Sequence, residues 1–322
     1  MKKYNYVIFH KGCYDGFSSF IILDKSGMID KDAIIYPDVP SAKISPKNIE
    51  NKNVIIMDTA YSYDILKNIF ELSDSVTFID HHVTIKDDVS KLTKRFENEK
   101  DNKINIIYDE SECGSSLTWK FLFPNKKLPL FLKYIKANDI GQWNIYKNTY
   151  NFMASLNVKF NTDLNKENIQ KWNNMFDVNV VKKMIKRGKI YREYVDYILE
   201  KNAHKYSMML FPSDSIYEEF TEYFKQPGQY KVAVSSLPCP DSSLLGNKMV
   251  KEINCDFVIF FSQNLDKNEY ILTFRSNSVD VGKIAKIFSG GGHKFASACS
   301  ISMDKYSIDA LFMKNSLPRQ RK

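Results

Sequence analysis

The chain has 322 residues, room for about two domains and a sizeable core. Hydrophobic residues make up 43% and aromatics 14%, which excludes the disordered, collagen-like and low-complexity classes. The formal net charge of +8 favours an anionic partner without identifying one.

Part of that charge is a basic run, Lys314 to Lys322, read as a solvated terminus. No apolar run approaches the roughly 20 residues that span a bilayer. The opening MKKYNYVIFHKG meets charged and glycine positions too soon for a signal-peptide core. A cytoplasmic protein with no membrane partner is expected. The five cysteines (Cys13, Cys113, Cys239, Cys255, Cys299) are scattered and contain no CxxC pair, so they read as reduced thiols.

In chain order, three β-branched and aromatic runs end on a polar or acidic residue: Tyr6–Phe9 before His10, Val54–Met57 before Asp58, and Val76–Ile79 before Asp80. Such runs predict buried parallel strands. Helical stretches at Asp15–Lys25 and Tyr63–Leu72 lie between them, so the alternation is βαβ and the sheet should be doubly wound. Ligands of such sheets bind outside the carboxyl ends of the strands, where His10, Asp58 and Asp80 fall. Ser111–Asn138 reads as helical, and Val178–His204 as one long charged helix suited to a spacer. After Pro227-Gly228 a second pattern begins: strand Tyr230–Ser235, helix Ser243–Lys251, then strands Phe257–Ser262 and Tyr270–Arg275. The expected fold class is α/β, a doubly wound and mainly parallel sheet joined by a helical spacer to a smaller α/β domain. The expected boundaries are a catalytic domain over 1–205, a linker over 206–229 and a second domain over 230–322.

Asp80-His81-His82 follows a strand directly and offers hard oxygen and borderline nitrogen ligands together, a mixture suited to Mn, Fe or Zn. Singly, Asp58 and Asp139 also read as helix caps, His10 as a buried histidine and Asp15 as a turn residue. Together they gather at one rim. The triple glycine Gly290–Gly292 lets backbone N–H groups approach an anion, with His293 adding a donor and Arg275 able to fork onto a phosphate.

The ordered set His10…Asp15-Gly16, Asp58, Asp80-His81-His82 and Asp139 resembles the four N-terminal motifs of the DHH phosphoesterase superfamily. Ser111–Trp119 is similar to the helix-opening segment between the third and fourth motifs. Arg275-Ser276-Asn277, Asp280-Val281 and Gly290-Gly291-Gly292-His293-Lys294 resemble the associated DHHA1 substrate-binding domain. The resemblance implies two divalent ions, Mn²⁺ or alternatively Mg²⁺ or another divalent metal, about 3.5 to 4 Å apart and activating a hydroxide for in-line displacement. It implies His10, Asp15, Asp58, His81 and Asp139 as metal ligands, with Asp58 and Asp139 shared between ions. Asp80 either ligates or orients an imidazole, and His82 donates to a phosphate oxygen or the leaving group. Arg275, Gly290, Gly291, Gly292 and His293 would grip the far end of a substrate.

The implied function is a metal-dependent phosphodiesterase or exonuclease acting on short oligonucleotides or small nucleotides. Alternatives are a phosphatase of bisphosphate nucleotides or cyclic dinucleotides, and a nucleotide- or nucleic-acid-binding module with weak or no turnover. The resemblance specifies neither substrate nor oligomeric state. One departure is present: Cys13 stands where many relatives carry the first aspartate of a D-x-D arrangement. Either its thiolate ligates a metal, or the site holds one ion tightly and a second loosely.

Overall fold

The computed structural model describes residues 2–39, 44–96, 103–236 and 242–314. They form two compact units, Met1–Arg192 and Glu193–Lys322.

In the first unit, strands β1 (Tyr4–His10), β2 (Ile29–Asp38), β3 (Asn53–Met57), β4 (Ser75–Asp80) and β5 (Ile104–Tyr108) pair in the order β2-β1-β3-β4-β5. Every pair is parallel. The helices are α1 (Tyr14–Ser26), α2 (Tyr63–Leu72), α3 (Lys86–Phe96), α4 (Gly114–Leu122), α5 (Leu130–Asp139), α6 (Thr149–Lys159), α7 (Lys166–Asn173) and α8 (Val178–Ala203). Because side chains alternate along a strand, Val7, Phe9, Ile55 and Met57 face one way and meet Phe17, Leu117, Phe131 and Phe152 of α1, α4, α5 and α6. Tyr6, Ile8, Val54 and Ile56 face the other way and meet Leu66, Ile69 and Leu92 of α2 and α3. The sheet is thus covered on both faces, as the continuous apolar runs require. With α1 on one face and α2 on the other, the strand order reverses between β1 and β3. That switch point opens a crevice at the carboxyl ends of those two strands.

The central strands and both early helices match expectation. The edge strands β2 and β5 do not stand out in the sequence, because β2 is only partly covered and carries Asp30, Lys31, Asp32 and Pro37. The helical reading of Ser111–Asn138 divides into α4 and α5, with Pro129 at the N-cap of α5.

The second unit contains β6 (Ser207–Phe211), α9 (Asp214–Glu219), β7 (Tyr230–Ser235), α10 (Ser242–Glu252), β8 (Phe257–Asn264), β9 (Glu269–Ser276), α11 (Val281–Ile287), β10 (Gly291–His293), β11 (Ala296–Ser302) and β12 (Met313–Lys314). Its sheet runs β10-β11-β9-β8-β7-β6-β12, antiparallel except for β7 with β8. The α/β class of both parts is as expected. The segment 206–229 corrects the expectation of a linker: β6 pairs with β7, and Phe211, Ile216 and Phe224 are buried in the core. The apolar run Ser207–Phe211 has a sheet partner, so it folds in. Likewise Leu199 and Ala203 at the end of α8 pack with Ala233, Leu245 and Met249, which sets the boundary inside that helix and not after it.

Cys13, Cys113, Cys255 and Cys299 are unpaired thiols, as read; Cys239 and the basic run after Lys314 lie outside the described residues. No helix among the described residues is long and apolar enough to cross a membrane.

Candidate metal centre

The crevice between β1 and β3 is built by tight turns. Gly12, at φ 74°, turns the chain from β1 into α1. Gly16 then presses α1 onto the strand end, where a Cβ would stand 2.5 Å from the His10 carbonyl oxygen. This packing sets Asp15, 2% exposed, beside the end of β1. Its Oδ1 accepts the Ser115 N–H at 3.1 Å and the Ser115 hydroxyl at 2.5 Å, so the start of α4 fixes one carboxylate oxygen and leaves Oδ2 without a partner. Asp58 follows β3 in the left-handed region, φ 59°, its N–H donating to the Ile79 carbonyl at 2.9 Å. Gly114 allows α4 to approach it: a Cβ there would lie 2.6 Å from the Asp58 Cβ.

Asp80 ends β4 and is fully buried. Its Oδ1 accepts the backbone N–H groups of His81 (2.6 Å) and His82 (3.0 Å) and faces His82 Nδ1 at 2.7 Å. A carboxylate only accepts, so that nitrogen carries the proton and Nε2 is left for another partner. The Tyr108 hydroxyl donates to the His82 carbonyl at 2.9 Å. Asp139 is the last residue of α5, which is tied to the start of α4 by Lys136 on Glu112 at 2.7 Å.

All of the residues expected in the metal site come together. His81 Nε2 lies 3.2 Å from Asp58 Oδ1, 3.2 Å from Asp139 Oδ2 and 4.0 Å from Asp15 Oδ2. His10 Nδ1 lies 3.5 Å from Asp58 Oδ2. These atoms and Asp80 Oδ2 are buried without a hydrogen-bond partner; among the described residues, only the Ser73 and Ser155 hydroxyls share that condition. They fall into three overlapping groups able to hold a metal ion: His10, Cys13 and Asp58; Asp15, His81 and Asp139; and Asp58, Asp80, His81 and His82. Asp58 and His81 each belong to two of the three.

The electrostatics follow from crowding. Burial, then the charges of Asp58 and Asp139, push the Asp15 carboxyl well up, and burial with Asp58 raises Asp139 to about 6. Burial would also raise Asp58, but the adjoining His10 and His81 imidazoles outweigh it and hold the carboxyl at about 2. Burial opposes a charge on His81, yet the surrounding carboxylates raise it to about 9. Burial likewise opposes a charge on His82, and Asp80 overcomes it. The cluster therefore divides its protons: Asp58 is held ionised, Asp15 and Asp139 are pushed toward the neutral acid, and His81 and His82 toward the imidazolium. Such a buried, unpartnered set of oxygen and imidazole donors fits divalent cations.

In the second unit Arg275, on β9, donates to the Phe274 carbonyl at 2.7 Å and to the Ser243 hydroxyl at 2.5 Å. Arg275, Gly291, Gly292 and Ser297 line an open groove. Gly291 and Gly292 begin the edge strand β10, and Gly290 precedes it. The Gly290 N–H is spent on the Ala285 carbonyl at 2.8 Å, which corrects the expectation that it faces an anion. A Cβ at Gly290 or Gly292 would collide with β11, whereas one at Gly291 meets open space. His293 closes β10 and is exposed.

Ser115, Gly114, Tyr108 and Glu112 support this centre. Their roles depend on contacts made only in the fold; in the sequence, the segment holding Glu112, Gly114 and Ser115 reads only as a helix opening similar to the family's.

Residues 230–311 match the DHHA1 domain family. The second unit therefore carries a DHHA1 domain, which bears out the resemblance seen in its Arg275 and Gly290–Lys294 segments. An uncharacterized protein, R106, of Acanthamoeba polyphaga mimivirus is 28% identical over 314 residues, covering 92% of this chain and 67% of that protein. Among solved structures, a pGpG-specific phosphodiesterase from Vibrio cholerae is similar over 94% of this chain and 95% of that one, at 14% identity and a TM-score of 0.48. An exopolyphosphatase-related protein from Bacteroides fragilis covers 94% and 89%, at 15% identity and a TM-score of 0.42.

Proposed function

We propose that the protein is a metal-dependent phosphodiesterase that hydrolyses short oligonucleotides or small nucleotides. The observation that carries this reading is the convergence of unpartnered donors from His10, Asp15, Asp58, Asp80, His81 and Asp139 at the switch point of the sheet. His10 and Asp58 form one ligand group and Asp15, His81 and Asp139 another, with Asp58 reaching toward both. Divalent ions held there, Mn²⁺ by the mix of imidazole and carboxylate, would supply Lewis acidity for water and neutralise phosphate charge.

The chain's own groups do the rest. Ser115 fixes Asp15, so that carboxylate needs no reorganisation when an ion binds. Asp80 holds the proton on His82 Nδ1 and favours the imidazolium, so Nε2 can donate to a phosphate oxygen or to the departing oxygen. Arg275, Gly291, Gly292 and His293 bind a second anionic group of the substrate. The test is hydrolysis of a generic phosphodiester, a dinucleotide, longer oligomers, a cyclic dinucleotide and a 3′,5′-bisphosphate nucleotide under Mn²⁺, against protein dialysed with EDTA. Turnover that disappears with the metal and returns with Mn²⁺ is expected. Full activity after verified metal removal would overturn the mechanism, and Mn²⁺ binding without turnover on any substrate would make the protein a binding module.

A further inference from the structure

The first unit has a second feature that shares no residue with the acid and histidine cluster. Between α6, α7 and α8 lies a pocket of about 210 Å³. Lys159, Lys171, Lys183 and Arg187 line it, and no carboxylate does. Phe160 and Met184 supply an apolar wall. Ser155, 1% exposed, also lines it, and its hydroxyl has no hydrogen-bond partner.

The pocket is held by close packing. Gly188 of α8 meets α6 so tightly that a Cβ there would lie 1.6 Å from the Asn151 carbonyl oxygen, which fixes the spacing of the two helices. Lys171 donates to the Lys159 carbonyl and sits 4.6 Å from the centre of the Phe160 ring, so this cation is anchored at the wall. Four cations without a lining acid repel one another, a cost that an anion relieves. An apolar wall beneath them selects an anion that also carries an apolar face. A buried hydroxyl without a partner costs free energy until something meets it.

From this combination we infer that the pocket binds a small phosphorylated molecule with a flat ring, of the size of a nucleoside monophosphate, at a site separate from the metal centre. The phosphate lies among Lys159, Lys183 and Arg187, and the ring lies against Met184 and Phe160. This inference stands apart from the hydrolysis reading, because it needs no metal and no turnover.

Calorimetric titration of the full chain in EDTA, which keeps phosphate from being held by metal at the other centre, tests it. The probes are AMP, phenyl phosphate, inorganic phosphate and adenosine. AMP should bind one per chain and at least tenfold more tightly than inorganic phosphate or adenosine; comparison with phenyl phosphate separates a nucleotide ligand from any aryl phosphate. Lys183→Ala/Arg187→Ala should weaken AMP at least tenfold, since both side chains are exposed and their loss leaves the fold intact by circular dichroism. Ser155→Ala should weaken it about threefold without lowering the melting temperature. AMP affinity unaltered in both pocket variants, no AMP binding at all, or binding of a single-stranded oligonucleotide in place of AMP would each overturn the inference.

Discussion

Substituting Gly114 by alanine perturbs the metal centre without touching a donor atom. The added methyl would stand 2.6 Å from the Asp58 Cβ and 2.9 Å from its Cγ and Oδ1. An ordinary carbon contact is roughly 3.5 Å or more, so one partner must retreat by about 0.9 Å. Asp58 has little room, being 1% exposed, in the left-handed region and tied by its N–H to Ile79. The start of α4 has little more, because Ser115 holds Asp15 and Glu112 is paired with Lys120 and Lys136. Either movement displaces a carboxylate expected to hold an ion. Overpacking of this kind costs about 1–3 kcal/mol of stability, and misplacing a ligand lowers metal affinity by about 10- to 100-fold. Mn²⁺ titration of metal-free protein by calorimetry, beside thermal unfolding, reads both quantities. Gly291→Ala is the control, since its methyl meets open space and should leave the melting temperature and Mn²⁺ affinity unchanged. A Gly114→Ala protein with wild-type Mn²⁺ affinity would refute the claim that α4 positions Asp58.

Three further outcomes are expected. Asp80→Asn and His82→Ala should each lower turnover by at least about a hundredfold with the circular dichroism spectrum unchanged; a near-normal rate in either removes that residue from the mechanism. Arg275→Ala and His293→Ala should raise KM with some loss of kcat while bound Mn²⁺ stays at the wild-type level; unchanged KM and kcat on every active substrate would refute a substrate role for the second unit. Glu112 is buried, and although burial itself opposes its charge, Lys120, Lys136 and Ser116 lower its carboxyl from 4.5 to about 2. A lowered folded pKa stabilises above the unfolded value and is lost as pH falls from about 4.5 toward 2, by at most about 3 kcal/mol at 1.36 per unit. Screening at the exposed Lys120 reduces that to about 1–2 kcal/mol. The urea stability gap between the wild type and Glu112→Gln should therefore narrow between pH 6 and pH 3.5, and a constant gap would contradict the pairing.

What could be read from the chain in advance tracks how local the physical cause is. β1, β3 and β4 are buried on both faces, so their apolar runs are continuous and their acidic or histidine ends mark the rim. The edge strands β2 and β5 lack that cover, and their mixed composition conceals them. Every donor gathered at the metal centre sits at a strand end, in the first turn of α1 or at the end of α5, positions a strand-and-turn reading can reach. Ser115 bonding to Asp15 across 100 residues, and Tyr108 to His82, are not written in any local pattern. Nor is the division of labour within Gly290–Gly292, where Gly290 and Gly292 lie too close to β11 for a Cβ and one at Gly291 would meet open space.

Cys13 joins these two kinds of information. The family resemblance would place an aspartate where this chain has a thiol, and the fold sets that thiol within reach of His10 and Asp58. Burial, then the charges of Asp58 and Asp15, push its pKa up, so without metal the thiol is neutral. Asp15 and Asp139 are already pushed up by burial and by the charge of Asp58, and another carboxyl would add like charge to donor groups less than 5 Å across. A neutral thiol spares the metal-free fold that repulsion and leaves the His10 and Asp58 group one oxygen donor poorer for a hard ion. Variation at this position should accordingly register in how tightly the ion beside His10 is held, and hardly at all in whether the sheet folds.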